Sequence, residues 1–108
     1  MDDFYIAFID DLRDPKGNFD VILRSTESAI EYMERNGCPG FISFDFDLGG
    51  DDRAINIVKW MIDKDLDTDG EFIPDDFGYN IHSANPVGSD MLNSYLKGYL
   101  RHKRKCRR

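Results

Sequence analysis

Cysteine is scarce in this 108-residue chain, limited to Cys38 and Cys106. That excludes a disulfide framework and any CxxC metal knuckle. No apolar run approaches the ~18 residues a membrane span requires. Low-complexity tracts, internal repeats and interdomain linkers are absent. The opening Met1-Asp2-Asp3 has the wrong charge for a secretory signal. These absences point to a soluble, cytoplasmic protein with no membrane partner. What is present suits one folded domain. Hydrophobic residues make up 41 % and aromatic residues 13 %, enough to build a core at a length typical of single domains.

Charge is abundant and unevenly placed. The net charge is −7, from 21 acidic and 14 basic residues. Six of the last eight residues are Lys or Arg, and without them eight basic residues face 21 acids, a net charge of −13. The sequence therefore divides into a domain over 1–100 and a basic tail over 101–108. The tail reads either as a frayed, solvated terminus complementing a helix dipole or as an arm that contacts nucleic-acid phosphates.

Apolar patterning predicts strands alternating with helices. Phe4 to Ile9 is an apolar run without alternation, as in a parallel strand covered on both faces. Val21 to Leu23, Phe41 to Phe44 and Gly78 to Ile81 read as further strands. Ser25 or Thr26 can cap a helix carrying Ala29, Ile30 and Met33, which Asn36-Gly37 ends. Asp51 or Asp52 can cap a second, whose face is Ala54, Ile55, Val58, Met61 and Ile62. A third starts near Val87 to Ser89, with Met91, Leu92, Tyr95, Leu96, Tyr99 and Leu100 as its stripe. The stretch from Leu12 to Asp20 is too short for a crossover helix and reads as a loop. The expected fold is α/β in two or three layers, with a mostly parallel four-stranded sheet and flanking helices.

Three strand ends carry polar groups: Asp10-Asp11, Asp45 with Asp47, and His82-Ser83 with Asn85. Parallel strands place such ends on one edge of a sheet, where ligands bind. Carboxylates gathered there repel one another unless a cation sits among them. Oxygen-only ligands suit Mg²⁺ or Mn²⁺ beside a substrate phosphate. Asp10, Asp11 and Asp45 are the candidate metal ligands, and Asp47 is a fourth ligand or the base for a water. Arg13 either clamps a phosphate or neutralises Asp10 or Asp14. His82 is a general acid or a hydrogen-bonded strand-end residue. Ser83, Asn85 and the N–H groups near Gly88 at the last helix's start are phosphate contacts, with Asn85 alternatively bracing the turn. Gly49-Gly50 permits close backbone approach or makes a turn.

The arrangement of an acid pair after the first strand, an aspartate after the third and a serine after the fourth resembles a response-regulator receiver domain. In receivers the three acids hold Mg²⁺, the third-strand aspartate accepts a phosphoryl group and the hydroxyl contacts it. That resemblance places the acceptor at Asp45 and the hydroxyl at Ser83. The helix between the first two strands, the fifth strand and its lysine have no counterpart. Closer still are three segments: Ile9-Asp-Asp-Leu-Arg-Asp-Pro15, Ser43-Phe-Asp-Phe-Asp-Leu-Gly49 and Ile81-His-Ser-Ala-Asn-Pro-Val-Gly88 with Met91. They are similar to the truncated receiver-like family of cyclic-phosphate-processing receiver domains, across about residues 5 to 99. The family pattern reads LDDxRxP, SxDHDLG and VHSxNPxG followed by Met. Phe46 stands where that pattern has His, and Arg53-Ala54-Ile55 where a Thr-Gly pair is frequent. The resemblance implies a metal-dependent site for a cyclic phosphate on an RNA end or nucleotide, in bacteria or phages. The alternative is a non-catalytic module that binds a nucleotide or a partner protein, with Phe46, Tyr95 and Tyr99 as contacts, the two tyrosines equally explained as core. The Asp45-Phe46-Asp47 pair also resembles the nucleophile motif of haloacid-dehalogenase-like phosphatases, but there the motif follows the first strand.

A second metal signal is independent of the first. Asp65, Asp67, Asp69, Gly70, Glu71 and Asp76 match the D-x-D-x-D-G calcium loop with an acid at its twelfth position. It reads as a Ca²⁺ or Mg²⁺ site bracing the loop, or as a solvated acidic turn.

Overall fold

A computed structural model describes residues 4–106. Four strands form one sheet: β1 (Ile6–Ile9), β2 (Val21–Leu23), β3 (Phe41–Phe44) and β4 (Gly78–Ile81). All pairs are parallel and the order is β2-β1-β3-β4. Three helices complete the fold: α1 (Thr26–Asn36), α2 (Ile55–Asp67) and α3 (Pro86–Cys106). This is the receiver-like α/β architecture with no fifth strand among the described residues, and the β1–β2 connection is a loop, as its length dictates. No helix among the described residues is long and apolar enough to cross a membrane.

Strand alternation divides the sheet into two unlike faces. Ala7, Ile9, Leu23, Ile42 and Phe44 join Ala29 and Met33 of α1, Ile57, Val58 and Met61 of α2, and Leu92 and Leu96 of α3 in one core. Phe8, buried on the opposite face, stays outside that core and packs on Phe19 and on the His82 ring instead. The helices thus form one layer against the sheet, and the molecule has two layers.

Local chemistry sets the helix ends. Ser25 caps α1 in a reciprocal capping box with Ser28, and Gly37, at φ 84°, ends it with an N–H donated to Met33. The cap expected at Asp51 or Asp52 for α2 is not there. Ala54 occupies that position without a side-chain bond, and Asp52 instead accepts the Thr26 N–H at 2.9 Å, supporting the first turn of α1.

Residues 101–106, expected as a basic tail, continue α3. α3 runs unbroken to Cys106, and Lys103 is buried. Its ammonium lies 3.1 Å from the buried Asp65 carboxylate and donates to the Ile73 carbonyl at 2.6 Å. That contact folds residues 101–106 into the domain as helix. Arg107 and Arg108, the end of the expected tail, lie outside the described residues.

Candidate metal and phosphate site

Backbone bonds extend the sheet one residue past each strand and so fix the rim. The Asp10 N–H donates to Leu23 O at 3.1 Å, Asp45 N–H to Ile9 O at 2.8 Å, and His82 N–H to Phe44 O at 2.8 Å. The parallel register therefore delivers Asp10, Asp45 and His82 to one edge from positions 35 and 37 residues apart. Asp10, Asp11 and Asp45 each present an oxygen within 4.8 Å of the others, and this is the one such group of potential metal ligands among the described residues. Three hard oxygen donors at this spacing fit Mg²⁺ or Mn²⁺.

Asp10 is the most constrained of the three. One carboxylate oxygen accepts the N–H groups of Leu12 at 2.9 Å and Arg13 at 2.8 Å. The other faces His82 Nε2 at 3.0 Å and Arg13 Nε at 3.4 Å. Burial is the largest influence on its ionisation and opposes it. The two backbone N–H groups, His82 and Arg13 outweigh burial and hold the carboxyl below the usual carboxylate range. Asp45 goes the other way. Burial first, then the Asp10 charge, push it up, against the pull of Ser83, His82 and Arg13. Two adjacent acids with opposed shifts describe a place where negative charge is crowded.

Asp11 is half-buried at the cleft wall. Gly49 passes it so closely, at φ 93°, that a β-carbon there would lie 3.2 Å from the Asp11 carboxylate. The segment also turns there, with the Asp52 N–H donated to Gly49 O at 2.9 Å and the Leu48 N–H to Asp52 O at 3.0 Å. The cleft itself is open, about 450 Å³, and lined by Asp11, Arg13, Asp45, Asp47, Ser83 and Asn85 among others.

Several predicted residues meet partners that change their work. His82 has both ring nitrogens engaged, Nε2 with Asp10 and Nδ1 with Ser43 Oγ at 2.7 Å. An ionised Asp10 accepts a hydrogen bond from Nε2–H, and the Ser43 hydroxyl then donates to Nδ1. His82, stacked on Phe8 at 4.6 Å, accordingly orients Asp10 and has no free nitrogen for a leaving group. Asn85 caps α3, accepting the Gly88 N–H at 2.9 Å, while its amide reaches Asp47 at 3.2 Å. Gly88, an expected phosphate contact, is the donor in that bond. Its N–H is committed to that cap, and a β-carbon would collide with the Phe46 ring at 2.3 Å. Phe46 is core, so it is no surface contact. Asp47 pairs with Arg53 at 3.0 Å and stands outside the acidic triad.

The second metal motif folds into something else. Asp65 and Asp67 end α2. One Asp65 oxygen accepts the N–H groups of Phe72 at 3.0 Å and Ile73 at 2.7 Å, and the other accepts the Tyr99 hydroxyl at 2.6 Å. The Lys103 ammonium completes the shell. The Lys103 ammonium pairs with the first acid of the motif, and Asp67, Asp69, Glu71 and Asp76 form no ligand group with Asp65 among the described residues.

Arg24, Arg53 and Ser43 hold neighbours of the rim in place, roles that the sequence motifs do not assign to them. Arg24 binds the carbonyls of Asp10 and Arg13 at 3.2 and 2.7 Å and the Asp14 carboxylate at 2.6 Å, bracing the 10–14 loop. An arginine directly after a strand that neighbours an acidic loop is the signal that could have found it.

The family model for cyclic-phosphate processing receiver domains matches residues 5–98. The chain belongs to that family. No curated protein and no solved structure matches it. The matched span of the family runs from β1 into α3 and contains every residue of the rim described above.

Proposed function

We propose that the rim cleft binds a cyclic or terminal phosphate ester beside a divalent cation, Mg²⁺ or Mn²⁺, and opens a cyclic phosphate by hydrolysis. The observation that carries this reading is the convergence of Asp10, Asp11 and Asp45 beside an exposed arginine in an open cleft. Asp10, Asp11 and Asp45 would hold the ion, whose chemistry is to neutralise charge on a phosphate oxygen. His82 positions Asp10 for that task. Arg13, its side chain 58 % exposed, is free to turn its guanidinium onto the phosphate. Ser83, at the cleft wall, donates a hydroxyl to the same group. Ring opening adds water to phosphorus and breaks one ester P–O bond, leaving a phosphomonoester and an alcohol. Asp47, on the cleft wall, takes the proton from the water, and solvent protonates the departing oxygen. The acidic rim restricts the ligand to a phosphate presented with its metal, on a nucleotide or an RNA end.

A second reading rests on His82. With both ring nitrogens engaged, the chain supplies no ready acid for the leaving oxygen, which favours a module that binds the phosphate without turning it over. One experiment separates the two. The protein is incubated with Mn²⁺ or Mg²⁺ and a 2′,3′-cyclic nucleotide, while isothermal titration measures metal affinity in parallel. Ring opening that disappears in Asp45→Asn supports hydrolysis. Metal and nucleotide binding without turnover supports the module. Absence of metal binding rules out both.

A further inference from the structure

Resting on that phosphate site, we infer that the C-terminal half of α3 is a contact surface for a single-stranded nucleic acid whose phosphate-bearing end occupies the cleft. Lys97, Arg101 and Arg104 recur at helical spacing along one side of α3, with Lys105 adjacent, and all four are exposed. None of them forms an ion pair among the described residues, although the protein carries 21 acids. Like charges three and four residues apart oppose helix formation. Favourable interaction with the helix C-terminus offsets this only in the last turn.

Lys103 explains why the stripe is nevertheless rigid. Its buried contacts with Asp65 and Ile73 hold the end of α3 against the last turn of α2. Four cations are thereby presented on a fixed helix, and not on a solvated arm. A surface of unpaired cations on an otherwise acidic body attracts a flexible polyanion that touches the stripe and avoids the rest. A flat anionic membrane would also meet the acidic body. The side of α3 that bears the stripe has Ser94 and the exposed Asp90 nearer the cleft, and an acid there opposes an anionic lipid surface.

The helix also links the two sites. Ser83, Ala84 and Asn85 line the cleft and lead directly into α3. At 1.5 Å per residue, Lys97 lies about 17 Å and Arg104 about 27 Å along the axis from Pro86. A stacked strand rising ~3.4 Å per nucleotide covers that distance in roughly five to eight nucleotides. A mononucleotide would use the cleft alone. An RNA end would use both.

Fluorescence anisotropy on the full chain with Mg²⁺ tests this, using oligouridylates of two, six and ten nucleotides ending in a 2′,3′-cyclic phosphate. The ten-mer is expected to bind at least tenfold more tightly than the two-mer at low salt. The variant R101E/R104E/K105E should lose that gain and keep the two-mer affinity. Its slope of log K against log salt should be shallower by roughly 2, from three lost phosphate contacts. Circular dichroism checks the helix. If charge reversal unravels it, K97Q/R101Q/R104Q carries the same comparison. Equal affinity at all lengths, a gain that survives in the variant, or preference for phosphatidylserine vesicles over the ten-mer overturns the inference. A two-mer bound without any length gain overturns the stripe and leaves the cleft standing. Stripe-dependent binding that is indifferent to Asp45→Asn and to a plain 3′-hydroxyl end removes the cleft's role and leaves the stripe.

Discussion

At the rim, Asp10, Asp11 and Asp45 bring oxygens within 4.8 Å of one another and meet one half-exposed guanidinium. At the far end of α2, Asp65 meets a buried ammonium, a phenol and two backbone amides. Both places are acidic in sequence and both match a metal-binding pattern. They differ in how the fold neutralises them. Asp65 has every lone-pair direction answered from within the chain, so its ionised form is stabilised despite full burial. Asp45 has too little compensation, and its carboxyl is pushed up. A surplus of buried negative charge that the protein does not itself resolve separates the candidate site from the structural joint.

The sharpest way to break this comparison is to empty the joint. Lys103→Met leaves Asp65 buried without its cation and is expected to cost about 3–5 kcal/mol of stability, measured by urea unfolding. The double change Lys103→Met with Asp65→Leu should recover most of that, because well-packed apolar pairs replace buried ion pairs at little cost. If the single change proves neutral, the joint is not electrostatic.

At the rim, removing an orienting group should weaken ligand binding more than folding. His82→Ala is expected to lower Mn²⁺ affinity by roughly 10–100-fold, as loss of a partner behind a metal ligand does. Titration calorimetry reads this directly. A metal affinity unchanged by the substitution would remove His82 from the site. Arg13→Gln separates charge balance from phosphate contact. It should strengthen Mn²⁺ binding modestly, since a competing cation leaves, and weaken inorganic phosphate binding by roughly tenfold.

The smallest effect is in pH dependence. Asp45 has a folded pKa above its unfolded value, so the folded state holds the proton more tightly. Its contribution to stability is greatest at low pH and declines as pH rises from about 4 through the raised value. Asp10 and Asp65 have lowered folded values. Their contributions are full above about pH 4 and vanish as pH falls through those values. The stability difference between wild type and Asp45→Asn should therefore shrink as pH falls, and saturating Mn²⁺ should erase the decline at higher pH. A difference independent of pH would show that Asp45 is not strained by its neighbours.

Much of the rim was legible because parallel strands obey a simple rule. Apolar runs that stop at Asp10, Asp45 and His82 mark strand ends, and parallel pairing puts those ends on one edge. The roles of the flanking residues were less legible. Gly88 and Asn85 look like phosphate contacts in a VHSxNPxG pattern, but the demands of starting α3 take up both, as donor and acceptor of one cap. Phe46 lies between two aspartates, where polarity suggests a surface loop, yet the ring fills the space beside Gly88 in the core. Asp52 likewise serves α1 and not the helix that follows it. In each case the deciding partner is remote in sequence.

The order of strands and helices, the parallel sheet and the acids along its rim follow from the sequence alone, because apolar runs, caps and strand ends are properties of short segments. Which acids stay available was decided only by the tertiary structure. Lys103 reaches Asp65 across 38 residues, and His82 reaches Asp10 across 72. Charge compensation depends on distance in space, to which the spacing of residues along the chain is blind.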